Sequence, residues 1–76
     1  MNVKLTLATE FKSEPSEALV AEIESILALP LPAGKGNDYF FDIVTVKVGN
    51  FYKSHRLARR VVQRMFFALG RASETA

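Results

Sequence analysis

The chain has no cysteine, no tryptophan and a single histidine, His55, among its 76 residues. Without cysteine it can form neither a disulfide nor a thiolate metal site, and it has no cysteine nucleophile. A single imidazole also argues against a zinc site built from protein ligands alone. We therefore expect no bound metal or cofactor. The absence of cysteine is compatible with a reducing compartment, and we expect a cytoplasmic protein.

Long apolar runs are also missing. No apolar stretch approaches the roughly 20 residues that cross a bilayer, and the first ten residues alternate apolar with polar side chains, unlike the apolar core of an export signal. We therefore expect no membrane partner. A chain of 76 residues has room for one domain. We assign residues 1–71 to that domain and expect residues 72–76, a short polar tail, to be disordered.

Two segments have the pattern of β-strands. Residues 2–8 alternate between apolar and polar side chains, which is the period of a half-buried strand. Their apolar positions are Val3, Leu5 and Leu7. Residues 39–48 are rich in aromatic and β-branched residues, which favour strands. The positions expected to face the helices are Phe40, Val44, Val46 and Val48.

Two other segments have helical periodicity. The first should run over about residues 15–29, after a start signal at residues 13–15, with an apolar stripe on one side. The second should begin after a cap at Asn50 or Ser54 and end at Gly70. Its core stripe is expected to be Leu57, Ala58, Val61, Val62, Met65, Ala68 and Leu69.

The resulting order predicts a small α+β domain of two layers, β-α-β-α, with both helices on one face of a short sheet. Two strands form a marginal sheet with unpaired edges. We therefore expect a homodimer in which the sheet is extended by a second copy. The exposed sheet face would be a dimer or partner face formed by Tyr39, Phe41 and Ile43.

The net charge of +2 hides a division along the chain. Residues 1–49 carry four lysines against seven acidic residues, a net charge of −3, whereas residues 50–76 carry six basic residues against Glu74 alone, a net charge of +5. Such asymmetry indicates a polyanionic or acidic partner. Alternatively, an acidic first helix and a basic second helix could be solvated faces that pair loosely.

The basic residues of the second half gather on the side of the second helix opposite its core stripe, when about 100° is allowed per residue. A phenylalanine lies among them. Arginines suit phosphate contacts, and an exposed aromatic ring can stack on a base. The predicted nucleic-acid-binding or partner-binding residues are Lys53, Arg56, Arg59, Arg60, Arg64, Phe67 and Arg71.

The sequence thus predicts a small non-catalytic binding or regulatory module whose basic helix contacts nucleic acid. The alternative is a protein–protein interaction module, such as an adaptor, an inhibitor or a homodimeric accessory protein. It would bind an acidic protein surface through the same helix or through the open sheet face, since arginine and aromatic residues are also the common anchors of protein interfaces. No catalytic relay is evident, because His55 and Ser54 have no acidic neighbour in sequence to orient them. We therefore expect neither an enzyme nor a small-molecule substrate. Whether Phe67 is exposed or buried decides whether the basic cluster is a contact surface or an ordinary helix face.

Overall fold

A computed structural model describes residues 2–29, 34 and 36–68 of the chain. This part of the chain contains four α-helices and no strand. The prediction of an α+β domain with a β-α-β-α order is therefore wrong, and the described fold is all-α. The helices are α1 (Val3–Phe11), α2 (Glu17–Ala28), α3 (Asn37–Tyr52) and α4 (His55–Ala68).

Helix α1 replaces the strand predicted over residues 2–8. The side chain of Asn2 accepts a hydrogen bond of 3.0 Å from the backbone N–H of Leu5 and so caps the first turn. Val3 and Leu7 are buried, whereas Leu5 is 63% exposed. Residues four apart, such as Val3 and Leu7, share a face in a strand and in a helix alike. The middle position, Leu5, distinguishes the two structures, because only a strand would place it on the same face.

Helix α3 replaces the strand predicted over residues 39–48. Phe40, Val44 and Val48 are buried at a spacing of four, as predicted for the inner side. Val46, predicted for the same side, is 51% exposed, whereas Thr45, which the alternation of a strand would place on the opposite side, is buried. The exposure of Val46 and the burial of Thr45 both follow from helical periodicity. The segment is helical because burial against other helices overrides the weak preference of β-branched residues for strands.

The predicted dimer or partner face does not exist as a sheet surface. Tyr39 is partly exposed on α3, but Phe41 and Ile43 are half-buried and pack against the core. The ring of Phe41 lies 5.8 Å from that of Phe66. Since the described residues form no sheet, they also offer no strand edge to which a second copy could add.

The prediction of a helix over residues 15–29 is confirmed with a later start. The hydroxyl of Ser16 accepts a hydrogen bond of 3.1 Å from the backbone N–H of Leu19, which makes Ser16 the N-cap of α2. Leu19 and Ile23, which lie on its apolar stripe, are buried.

Helix α4 is also confirmed, and four members of its predicted core stripe are buried. Ser54 precedes the helix, and its hydroxyl accepts a hydrogen bond of 3.4 Å from the backbone N–H of Leu57. The predicted C-cap at Gly70 and the tail of residues 72–76 lie outside the described residues. The buried stripe members are Ala58, Val61, Val62 and Met65.

Helices α3 and α4 form an antiparallel hairpin joined only by Lys53 and Ser54. At the closed end of the hairpin, a Cβ atom on Gly49 would lie 2.5 Å from Cδ2 of His55 and 3.0 Å from its Cα. Only glycine therefore permits this approach of the two helices. Lys53 ends α3 in the left-handed region at φ 59°, which reverses the chain within two residues.

Helices α1 and α2 close the core from the other side. The rings of Phe11 and Tyr52 stack with their centroids 3.9 Å apart, and the Tyr52 hydroxyl donates a 2.8 Å hydrogen bond to the carbonyl oxygen of Ser13. The pKa of Tyr52 is raised mainly by burial of its hydroxyl and, to a smaller extent, by the nearby carboxylate of Glu14. On the α2 side, Lys47 of α3 forms an ion pair with Glu22 of α2.

None of the helices in the described ranges combines the length and the apolar character that crossing a membrane requires.

Substitution of two leucines of α1 tests the helix against the predicted strand. Leu7→Ala should lower the free energy of unfolding by about 2 to 5 kcal/mol, because it leaves a cavity in the core. Leu5→Ala should change it by less than about 0.5 kcal/mol, because the side chain is mostly in water. Urea denaturation followed by circular dichroism measures both. A strand would place both leucines on one buried face, so similar large losses would contradict the helical structure.

Candidate nucleic-acid interface

The outer side of α4 is set by the burial of its inner side. With about 100° per residue, the four buried stripe members, Ala58 to Met65, point in one general direction. A second set of four side chains points in the opposite direction, within about 30° of a common line. All four of these residues are exposed. We call them the central ridge: Arg56, Arg60, Gln63 and Phe67.

Phe67 is 74% exposed, more than any other large hydrophobic residue in the described part of the chain. Its neighbour Phe66 is only 3% exposed and packs against Phe41. The two rings therefore have opposite environments, because adjacent helical residues differ by about 100° in direction. The ring of Phe67 contributes little to the core and is available to a ligand.

Two arginines flank the central ridge and are already engaged. On the side of α1, Nη2 of Arg64 lies 2.8 Å from Oε1 of Glu10, an ion pair with a hydrogen bond. On the side of α3, the guanidinium carbon of Arg59 lies 5.3 Å from the ring centroid of Phe41, a cation–π distance. With the central ridge, Arg59 and Arg64 form what we call the basic face of α4.

The arginines of the central ridge are not engaged in this way. Arg56 and Arg60 are exposed and take part in no ion pair or hydrogen bond among residues 2–29, 34 and 36–68. Lys53, at the C-cap of α3 immediately before α4, is also exposed. The remaining predicted site residue, Arg71, lies outside the described residues. Six of the seven predicted residues therefore lie on α4 or directly before it.

The charge division along the sequence becomes a division between helices. Residues 55–68 hold four arginines and no carboxylate, whereas residues 17–28 hold three glutamates and no basic residue. The predicted loose pairing of these two helices is not seen among the described residues, where the only carboxylate paired with α4 is Glu10 of α1. Within the described part of the chain, the basic face thus has one paired carboxylate, that of Glu10.

His55 lies at the start of α4 and is exposed. Its Nε2 is 2.9 Å from Oδ1 of Asn50, so this nitrogen donates the hydrogen bond. This contact joins the ends of α3 and α4 and brings no carboxylate to the ring. In the described ranges, no three His, Asp or Glu side chains come close enough together to hold a metal ion.

Comparisons of the chain with protein-family models, with curated proteins and with solved structures gave no significant match.

Sequence reasoning did not find the partners of the flanking arginines. Glu10 lies 54 residues from Arg64 and follows the segment predicted as a strand, so no sequence pattern links the two residues. Phe41 was assigned to an open sheet face and not to a contact with Arg59. Asn2, a favourable N-cap residue, is a local signal that could have indicated a helix at α1, and therefore that Glu10 lies on a helix.

The unequal engagement of the arginines can be measured by NMR. The Nε–Hε group of Arg64 should have a higher order parameter than those of Arg56 and Arg60, because only Arg64 is held by a carboxylate. Glu10→Ala, which removes the acceptor, should lower the Arg64 value to that of the other two. The same change should cost only about 0.2 to 1 kcal/mol of stability, as is usual for exposed pairs. Equal mobility of the three side chains in the wild type would contradict this assignment.

Proposed function

We propose that this chain is a non-catalytic binding module that contacts nucleic acid through the basic face of α4. The observation that carries the proposal is the pair of unengaged, exposed arginines, Arg56 and Arg60, on a helix without carboxylates. They lie one turn apart on the same line, about 6 Å along the helix axis. Together with Lys53 they would bind successive phosphates of one strand.

Arginine is suited to this task, because its planar fork donates two hydrogen bonds to one phosphate. Such contacts are sequence-independent and release counterions from the nucleic acid. Arg64 would contribute less than the ridge arginines, because it must first give up its bond to Glu10. Arg59 keeps its contact with Phe41 and would add mainly long-range attraction.

An acidic protein surface is the alternative ligand, and the exposure of Phe67 is the observation that favours it. An exposed aromatic ring among arginines is a frequent composition of protein-interface anchors. The alternative now uses only the basic face, since the open sheet face on which it also relied is absent from the described residues.

Several expectations stay predictions. A homodimer no longer has a sheet edge to support it, and sedimentation would test it directly. The absence of catalysis, of a cofactor and of a small-molecule substrate is likewise untested. A cytoplasmic location is untested as well.

A salt titration with Arg60→Ala tests phosphate binding. For the wild type, the affinity for a labelled oligonucleotide, measured by fluorescence anisotropy, should fall steeply with salt concentration. Arg60→Ala should weaken binding by roughly tenfold for every sequence and reduce the salt slope by about one. Arg64→Ala should have a smaller effect. Lys4→Ala is the matched control, because it removes the same charge from the surface of α1.

The outcomes separate the two ligand classes. No binding of single or double strands even at low ionic strength would remove the nucleic-acid proposal. Equal weakening by Lys4→Ala and Arg60→Ala would attribute binding to net charge and not to the basic face. Tighter binding of polyglutamate than of an oligonucleotide at the same salt concentration would favour the acidic protein partner.

A further inference from the structure

We propose that the basic face of α4 prefers single-stranded nucleic acid, and that Phe67 stacks on one of its bases. This inference rests on the proposed function and adds the class of nucleic acid and the role of one ring. Its central observation is an exposed phenylalanine on the same line of the helix as two unengaged arginines.

The position of Phe67 is not explained by folding. Burial of a phenylalanine side chain contributes about 1.5 to 3 kcal/mol, yet this ring is 74% exposed while the adjacent Phe66 fills the core. Phe67 points away from the buried stripe, so a small rotation of α4 cannot bury it without exposing Val61 or Met65. The ring is thus held in solvent by the register of the helix.

The neighbours of Phe67 restrict the ligands that could cover it. On the described part of α4 the ring shares its face with arginines and Gln63, and residues 55–68 contain no acidic side chain. A ligand that covers the ring must therefore offer a flat apolar or π surface beside negative charge. Nucleobases joined to phosphates meet both requirements, and base–aromatic stacking is sequence-tolerant because every base has a π face.

A single strand meets these requirements better than a duplex. In a duplex the bases are stacked and paired, so the ring would either lie against phosphates or be inserted between base pairs at a cost of a few kcal/mol. The bases of a single strand can turn toward the ring without that cost. Arg56 and Arg60, with Lys53, also provide few phosphate contacts, which suits a short stretch of one strand.

The spacing along the ridge is consistent with this arrangement. Phe67 lies two turns beyond Arg60, about 10 Å along the axis. A strand following the ridge would place phosphates at the two arginines and a base over the ring. Gln63 lies between them and is exposed. Its side-chain amide can both donate to and accept from a base edge.

The experiment compares three ligands and three proteins. The ligands are a labelled oligothymidylate, an abasic strand of equal length, which keeps the phosphates and removes the bases, and a duplex of the same length. The proteins are the wild type, Phe67→Leu, which retains an apolar side chain but removes the ring, and Phe67→Trp, which keeps an aromatic ring. Circular dichroism checks that each substituted protein is folded, as expected for a change at an exposed position.

The wild type should bind oligothymidylate roughly 5-fold or more tightly than the abasic strand, the range expected for stacking of one base. Phe67→Leu should lose that preference while binding the abasic strand as the wild type does. Phe67→Trp should keep the preference. It also adds the only tryptophan of the chain, whose fluorescence should be quenched by oligothymidylate and not by the abasic strand.

Each failure has its own signature. Equal wild-type affinity for the two strands would overturn the stacking role of Phe67 and leave the proposed function intact. A duplex of the same length bound more tightly than the single strand, with no effect of Phe67→Leu, would overturn the preference for single strands. Absence of binding to all three ligands at low salt would remove the proposed function itself.

Discussion

The antiparallel packing of α3 against α4 is the constraint on which the rest of the structure depends. Phe40, Val44 and Val48 of α3 are buried in the same core as Val61 and Met65 of α4. Each such side chain contributes about 1.5 to 3 kcal/mol when buried, so together they fix the rotation of α4 about its axis. In the last turn of α3, Gly49 has no room for a side chain against His55, which also fixes the approach of the two helices at the closed end.

Once that rotation is fixed, the outer side of α4 follows from helix geometry. The residues opposite the buried stripe are Arg56, Arg60, Gln63 and Phe67, and this does not depend on how α1 and α2 pack. Helix α1 then adjusts the border of this surface by engaging Arg64 through Glu10, and α3 does so by engaging Arg59 through Phe41. The five basic residues that the structure describes on α4 or directly before it thus become non-equivalent, and the central ridge carries the proposed contacts.

The sequence predicts α4 well because its apolar stripe is broad enough to fit a period of 3.6 and no other. The same reasoning placed Phe67 among the arginines, and its exposure agrees with that position. The two predicted strands failed for a common reason. Residues spaced by four, such as Val3 with Leu7 or Val44 with Val48, share a face in either structure. The apolar residue at position 5 then favours a strand for residues 2–8, and the aromatic and β-branched side chains favour one for residues 39–48. The deciding position in α1, Leu5, is apolar and exposed, which local pattern cannot reveal.

The contacts of Arg64 and Arg59 could not be predicted for a different reason. They join residues that are distant in sequence and depend on how whole helices pack, which periodicity does not specify. The exposure of Arg56 and Arg60 can be predicted from the rotation of α4 alone. Their lack of partners among the described residues depends on how all four helices are arranged.

Mapping of the ligand contact by NMR tests the central claim most directly. A short single-stranded oligonucleotide would be titrated into the ¹⁵N-labelled chain while the backbone amides and the arginine Nε–Hε groups are observed. The largest shift changes should occur at Arg56, Arg60, Gln63 and Phe67, with little change along α2. Largest changes on α2, or on the outer side of α3 around Val46, would contradict the assignment of the binding surface to α4.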